Sequence, residues 1–299
     1  MTHLQRILFP TDGSACAERA RRHAFYLADR FDADVHVVHV DEREVELSDV
    51  IDIRAADVLS DLHAPLDGDA AVAAPRVQEH EVVHPAAADG LLSYVAEHDI
   101  HLVVMGTHGR RGVERLLMGS VAETVVRRAP CPVLTVGEQA ALPDALREGR
   151  LLVPVDFSEH QPRLLAHARE LALSYDMGLT LLHVVAEETW PDAYNVTLDT
   201  PPPAVLARRA EEALDTPAET LRAHGLDVAV AVRRGHPADE ILDAAAEDGA
   251  DLLAISTHGR TGLRRLLLGS VAETVIRHAP CPVFTVKAFG TSLVPDPGA

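Results

Sequence analysis

Short apolar runs alternate along the chain with longer segments whose apolar positions recur at helical spacing. Residues 6–9 form the first run, closed by Pro10. Ala17, Ala20, Ala24, Leu27, Ala28 and Phe31 then predict a helix over 15–30 with one buried face. Residues 35–40 are almost continuously apolar, as in a parallel strand covered on both sides. A weaker helical pattern covers 50–62 and breaks at Pro65, Gly68 and Pro75. Val77–Val83 alternates as a strand, 86–97 reads as a helix and 101–106 as a strand. A helix follows over 119–128, then the strand Val133–Val136. After a polar stretch the plan restarts, with strands at 151–155, 179–185, 228–233, 252–255 and Val283–Val286. The matching helices are 162–175, 204–224, 238–247 and Ser270–His278.

Strands alternating with helices imply right-handed crossovers and parallel sheets. The fold class is α/β: two tandem Rossmann-like domains, each a five-stranded parallel sheet of order 3-2-1-4-5 with helices on both faces. The expected divisions are a first domain over 1–137, a linker over 138–148, a second domain over 149–288 and a loose tail over 289–299. The repeat is also visible as a motif. MGTHGRRGVERLLMGSV at 105–121 returns as ISTHGRTGLRRLLLGSV at 255–271, with Gly109 and Gly259, and Gly119 and Gly269, each 150 positions apart. The turns at Asp12 and Asp156 are 144 apart, so the second half carries a net six extra residues, most simply placed at 186–203 with Trp190 and Tyr194.

Composition narrows the class of partner. The net charge of −19 excludes nucleic acid or an anionic membrane as the main partner. Lys287 is the only lysine. An acid excess with almost no lysine points to a salt-adapted, halophilic cytoplasm, where salt screens the self-repulsion; a GC-rich genome favouring Arg and Ala is the blander source. Three cysteines give no disulfide framework, and Cys131 and Cys281, in matching APCPV segments, read as small buried apolar residues. No signal peptide or membrane-length apolar run is visible, so a soluble cytoplasmic protein is expected. The 17 histidines show no ligand-spaced cluster with cysteine, so no protein-bound metal is expected.

In an open parallel sheet the ligand crevice lies beyond the carboxyl ends of the strands, where strand order reverses. Order 3-2-1-4-5 places it between the first and fourth strands. Asp12 then faces the loop 106–119. Glycines there let backbone approach phosphate oxygens, and the amides of Ser120 and Val121 open a helix whose dipole favours anions. Asp12 can accept from a base or ribose, or stand near a nucleotide-bound Mg. No lysine follows the last glycine, which excludes a Walker loop, and the glycines follow the fourth strand rather than the first, which excludes the dinucleotide fingerprint. Other readings stay open. Ser120 with Glu123, and Ser270 with Glu273, have capping-box spacing. Asp12 and Asp156 can be helix-entry carboxylates, and Arg110, Arg111, Arg260, Arg264 and Arg265 can be solvated. His39 and His183 read as packed or hydrogen-bonded. No nucleophile, base and acid can be assembled, so the protein is not expected to be an enzyme.

The PTDGS segment at 10–14, VDFSE at 155–159, the Gly106, Gly109, Gly119, Ser120 pattern and the two APCPV segments resemble the universal stress protein family over nearly the whole chain. The resemblance implies an ATP- or AMP-binding domain that pairs through its last strand, with a general stress role. It places the first nucleotide site at Pro10, Thr11, Asp12, Val40, Gly106, His108, Gly109, Gly119, Ser120 and Val121. The second falls on Asp156, Val184, Ser256, Gly259, Gly269, Ser270 and Val271. Ser256 departs from the pattern where the first copy has Gly106, and a side chain there is expected to crowd the ribose or shift the backbone. The implied self-association uses Val133–Val136 and Val283–Val286, within the chain or between chains. The competing reading is a scaffold on the same fold that binds no nucleotide.

Overall fold

The computed structural model describes residues 4–42, 75–108, 118–186, 201–257 and 268–294. The helical pattern at 50–62, Gly109, Gly259, the five loop arginines, Trp190 and Tyr194 lie outside the described residues. The first half runs β1 (Arg6–Pro10), α1 (Ala15–Phe31), β2 (Asp34–Asp41), β3 (Val77–Val83), α2 (Ala87–Glu97), β4 (Leu102–Gly106), α3 (Ser120–Arg128) and β5 (Val133–Val136). The second runs β6 (Arg150–Pro154), α4 (Gln161–Tyr175), β7 (Gly178–Ala186), α5 (Pro203–Arg222), β8 (Val228–Gly235), α6 (Pro237–Glu247), β9 (Leu252–Ser256), α7 (Ser270–His278) and β10 (Val283–Val286).

All strands join one ten-stranded sheet of order β3-β2-β1-β4-β5-β10-β9-β6-β7-β8. Each half is parallel and has the 3-2-1-4-5 order. The halves meet where β5 and β10 pair antiparallel, with Val283 opposite Thr135, Phe284 opposite Leu134 and Thr285 opposite Val133. Two buried threonines knit this seam: Thr135 Oγ1 donates to Val283 O at 3.2 Å and Thr285 Oγ1 to Val133 O at 3.1 Å. Because the halves run in opposite senses, their strand carboxyl ends lie at opposite edges of the sheet.

Alternate strand residues feed two cores, which explains the unbroken apolar runs. Ile7, Phe9, Val35 and Val37 pack with α1, α4 and α5 on one face. Leu8, Val38, Val103 and Met105 pack with α2, α3, α6 and α7 on the other. On the first face Tyr26 of α1 stacks on Tyr175 of α4, ring centroids 5.0 Å apart. On the second, Arg277 of α7 reaches Glu123 of α3 at 3.4 Å. Lys287, just past β10, is buried and its Nζ donates to Val126 O and Arg127 O, the closing carbonyls of α3. A cation suits that helix end, yet burial lowers the Lys287 pKa to about 8.

Two segments depart from expectation. Residues 138–148 are not simply a polar linker, since Ala140 and Leu146 are buried in the core. The tail is not loose over its described part, since Leu293 and Val294 are buried and Thr291 N donates to Pro130 O of the first half at 2.8 Å. Both segments follow a last strand, and both are held by the same device. Arg19 Nη1 donates to Ala140 O at 2.7 Å, and His23 Nε2 contacts Ala141 O at 3.0 Å. In the second half Arg163 Nη2 donates to Gly290 O at 2.8 Å, and His167 Nε2 accepts from Leu293 N at 3.1 Å. Arg19 and His23 match Arg163 and His167 at the 144-residue offset. Each Arg and His, one helical turn apart, clasps the chain as it leaves its half of the sheet.

Candidate functional site

β1 and β4 are neighbours, so the loops that follow them share one crevice. Thr11 N donates to Val38 O at 2.9 Å, and His39 Nδ1 donates to Thr11 O at 2.9 Å. That imidazole fixes the backbone just before Asp12. Asp12 is half-buried, and its Oδ1 accepts from Ser14 N at 3.0 Å, a local turn of the helix-entry kind. Ser14 is the N-cap of α1, accepting from Ala17 N at 3.2 Å, and its Oγ also donates to His108 O at 3.3 Å. This hydroxyl ties the Asp12 loop to the glycine loop.

The glycine loop is anchored at both described ends. Thr107 N donates to Val136 O at 3.0 Å, and Gly119 N to Thr107 O at 2.7 Å. The loop therefore leaves and re-enters at a single point. Thr107 Oγ1 and His108 Nδ1 lie 2.9 Å apart, while His108 Nε2 is buried without a hydrogen-bond partner among the described residues. A Cβ on Gly106 would lie 2.8 Å from Cys16 Cβ and 2.9 Å from the Cys16 carbonyl carbon. Gly106 thus lets the start of α1 press on the end of β4. A Cβ on Gly119 would lie 3.2 Å from Thr107 O.

The capping boxes do not form. Gly119 and Gly269 are the N-caps of α3 and α7, with φ of −65° and −63°, and neither supplies a capping side chain. Ser120 and Ser270 are instead the first helical residues, both exposed, and the Glu123 carboxylate turns to Arg277 across the seam. The first amides of an α-helix have no intrahelical acceptor. Two helix N-termini therefore point into the two crevices with no capping side chain at the N-cap.

Pro10, Thr11, Asp12, Gly106, His108, Gly119, Ser120 and Val121 thus gather where β1, β4 and α3 meet, with Val40 near the end of adjacent β2. In the second half Asp156, Val184, Ser256, Gly269, Ser270 and Val271 take matching places. Asp156 Oδ1 accepts from Ser158 N at 3.0 Å, and His183 Nδ1 donates to Val155 O at 2.7 Å, repeating the His39 contact. Gly269 N donates to Thr257 O at 3.0 Å. The copies differ at the first loop. Gly13 has φ 71°, and its counterpart Phe157 keeps φ 57° despite its side chain, with its ring centroid 4.5 Å from that of His183. Ser158 does not repeat the role of Ser14: its Oγ is buried without a hydrogen-bond partner among the described residues, and α4 begins at Gln161. The position matching Ala15, the start of α1, is Glu159, so the helix has retreated where Ser256 carries a side chain.

His39 and His183 are hydrogen-bonded, as the sequence suggested. What the sequence did not show was their tie to the turns before Asp12 and Asp156, or the tie of Ser14 to the glycine loop. The signal of Ser14 and His39 was positional, because each recurs at the 144-residue offset as Ser158 and His183. Burial pushes the Cys131 and Cys281 thiols up to about 12, which keeps them protonated and unreactive.

Fold and crevices together define a tandem, doubly wound α/β protein. The Universal stress protein family matches residues 3–137 and again 149–287. The chain belongs to that family. A universal stress protein of Mycobacterium tuberculosis is 31% identical over 195 residues, covering 63% of this chain and 62% of that protein. One from Methanocaldococcus jannaschii is 32% identical over 142 residues, covering 44% of this chain and 81% of its own length. A universal stress protein structure from Archaeoglobus fulgidus superposes with a TM-score of 0.66 at 21% identity, covering 95% of this chain and 99% of that one. That likeness establishes the tandem fold. Among the described residues no helix is long and apolar enough to cross a membrane.

Proposed function

We propose that the chain is an adenine-nucleotide-binding stress protein of the cytoplasm, with ATP or AMP held in the first crevice and hydrolysis slow or absent. The carrying observation is the N-terminus of α3, capped only by Gly119, beside a loop that closes on itself through Gly119 N and Thr107 O. Backbone amides and the helix dipole would take the phosphates, with Ser120 and Val121 foremost. Asp12 and Val40 would face ribose and base, and Asp12 would stand near any Mg carried in with the nucleotide. Buried His108 Nε2, without a hydrogen-bond partner among the described residues, fits a polar ligand atom at the loop. The second crevice repeats the helix terminus at Gly269 and Ser270 but differs at Ser256, Phe157 and Ser158, so we read it as the weaker or more specialised site. The scaffold reading has the two units pair through their last strands, as β5 and β10 do, so ligand binding rather than strand pairing separates it from the nucleotide reading.

Calorimetric titration with ATP and with AMP, with and without magnesium in molar potassium chloride, tests the proposal. One tight site is expected. Gly119→Val should weaken it at least about tenfold, since the added side chain crowds the phosphate position. Its backbone angles suit any residue and its Cβ would meet Thr107 O at 3.2 Å and His108 Cα at 3.9 Å, so the fold should persist. Absence of binding by the native chain would sink the reading. We also read the acid excess as salt adaptation, to be tested by thermal stability against potassium chloride concentration.

A further inference from the structure

Under α2, at the outer edge of the first half, three imidazoles and a phenol are packed together. His36 of β2 is 4% exposed and its Nδ1 lies 2.8 Å from Tyr94 Oη of α2. His80 of β3 stacks on His36 with ring centroids 5.7 Å apart. His98, just after α2, stacks on Tyr94 at 3.8 Å and lies 6.0 Å from His36 and 5.9 Å from His80. The Nε2 atoms of both His36 and His80 are buried without a hydrogen-bond partner among the described residues.

A neutral imidazole tolerates this setting and an imidazolium does not. A proton added to His36 would place a charge among two other imidazoles, with an unpaired buried N–H. The other charged groups facing the nest oppose each other. Arg6 of β1 disfavours the cation, and Asp34 of β2 favours it but is engaged by Arg76. The His36 pKa is accordingly lowered to about 4, first by burial and then by His80, His98 and Arg6, and burial also lowers that of His80. Among the described residues the second half has no such nest. Strand register and helix alignment put Thr180, Ala231, Ala244 and Asp248 in the places of His36, His80, Tyr94 and His98.

We propose that this nest is an acid-sensitive fastening of the first half alone, whose protonation loosens α2 and β3 from the sheet while the second half stays closed. The direction follows from linkage. The folded state holds His36 below its ordinary value of 6.5, so the unfolded or opened chain takes the proton first. The stabilisation is whole above pH 6.5 and is lost as pH falls toward about 4. Each affected imidazole contributes up to about tenfold in the opening equilibrium per pH unit. The acid response is independent of whether the crevices bind nucleotide.

Hydrogen exchange of the full chain, corrected for intrinsic rates, reads it directly. Between pH 7 and 4.5, α2 amides should lose protection progressively relative to the α6 amides. In His36→Thr/His80→Ala, which installs the second half's residues, that difference should vanish. Parallel loss in α2 and α6, or an unchanged difference in the double variant, overturns the proposal. A second readout needs no variant. The His36 ring in the native chain should titrate well below 6.5 by proton NMR, and a midpoint at the ordinary value overturns the proposal as well.

Discussion

At the residue scale, Gly106 and Ser256 exchange meanings between sequence and structure. As letters they mark a complete and a defective ligand loop. In the fold, Gly106 is where the end of β4 touches Cys16 and Ala17 at the start of α1. Gly106→Ala would force a Cβ to 2.8 Å from Cys16 Cβ and 3.0 Å from Ala17 N, where backbone has to move. It should destabilise the protein by about 1–3 kcal/mol, the usual range for overpacking a close contact. Ser256→Gly meets a retreated helix start and should change stability by less than about 1 kcal/mol. Urea midpoints with unchanged slopes check both, and equal costs at the two positions would refute the packing account.

At the element scale, the strands could be placed in the sequence to within a residue or two. A parallel strand covered on both faces leaves an unbroken apolar run, as in Leu102–Gly106. The helix starts fell as close, but the capping-box reading of two of them did not hold. Ser120 and Glu123 have the right spacing for a box, but Gly119 takes the cap position because its amide is drawn back to Thr107 O. The clasps were visible yet uninterpreted, because an Arg and a His four residues apart gain meaning only with the carbonyls they meet. Arg163→Met/His167→Leu should free the tail. The Thr291 and Leu293 amides should exchange at least about tenfold faster, with a stability loss of about 1–3 kcal/mol from the unmade hydrogen bonds. Unaltered protection at both amides would show that the clasp is incidental.

At the scale of the whole molecule, 46 acidic side chains against 27 lysines and arginines repel one another unless screened. Thermal stability should therefore rise with potassium chloride up to molar concentration, beyond what short-range pairs such as Arg128–Asp89 lose to screening. A midpoint that is flat or falls with salt would refute the salt-adapted reading. The sequence carried the tandem plan and the crevice between the first and fourth strands. It did not carry the acid-sensitive nest, whose members come from two strands and a helix brought together only by folding. Nor did it carry the seam contacts between Tyr26 and Tyr175, which belong to different halves.

Lys287 shows what joining the halves makes possible. Its counterpart is Gly137, 150 positions earlier, so a buried amine grips α3 on one side of the seam while the matching position on the other side carries no side chain. Two identical chains meeting on a twofold axis would inherit every such substitution twice, and two amines would have to be buried together. One gene encoding both halves lifts that constraint. Each half can then carry its own residues, Gly106 and the histidine nest in one and Ser256 and Phe157 in the other.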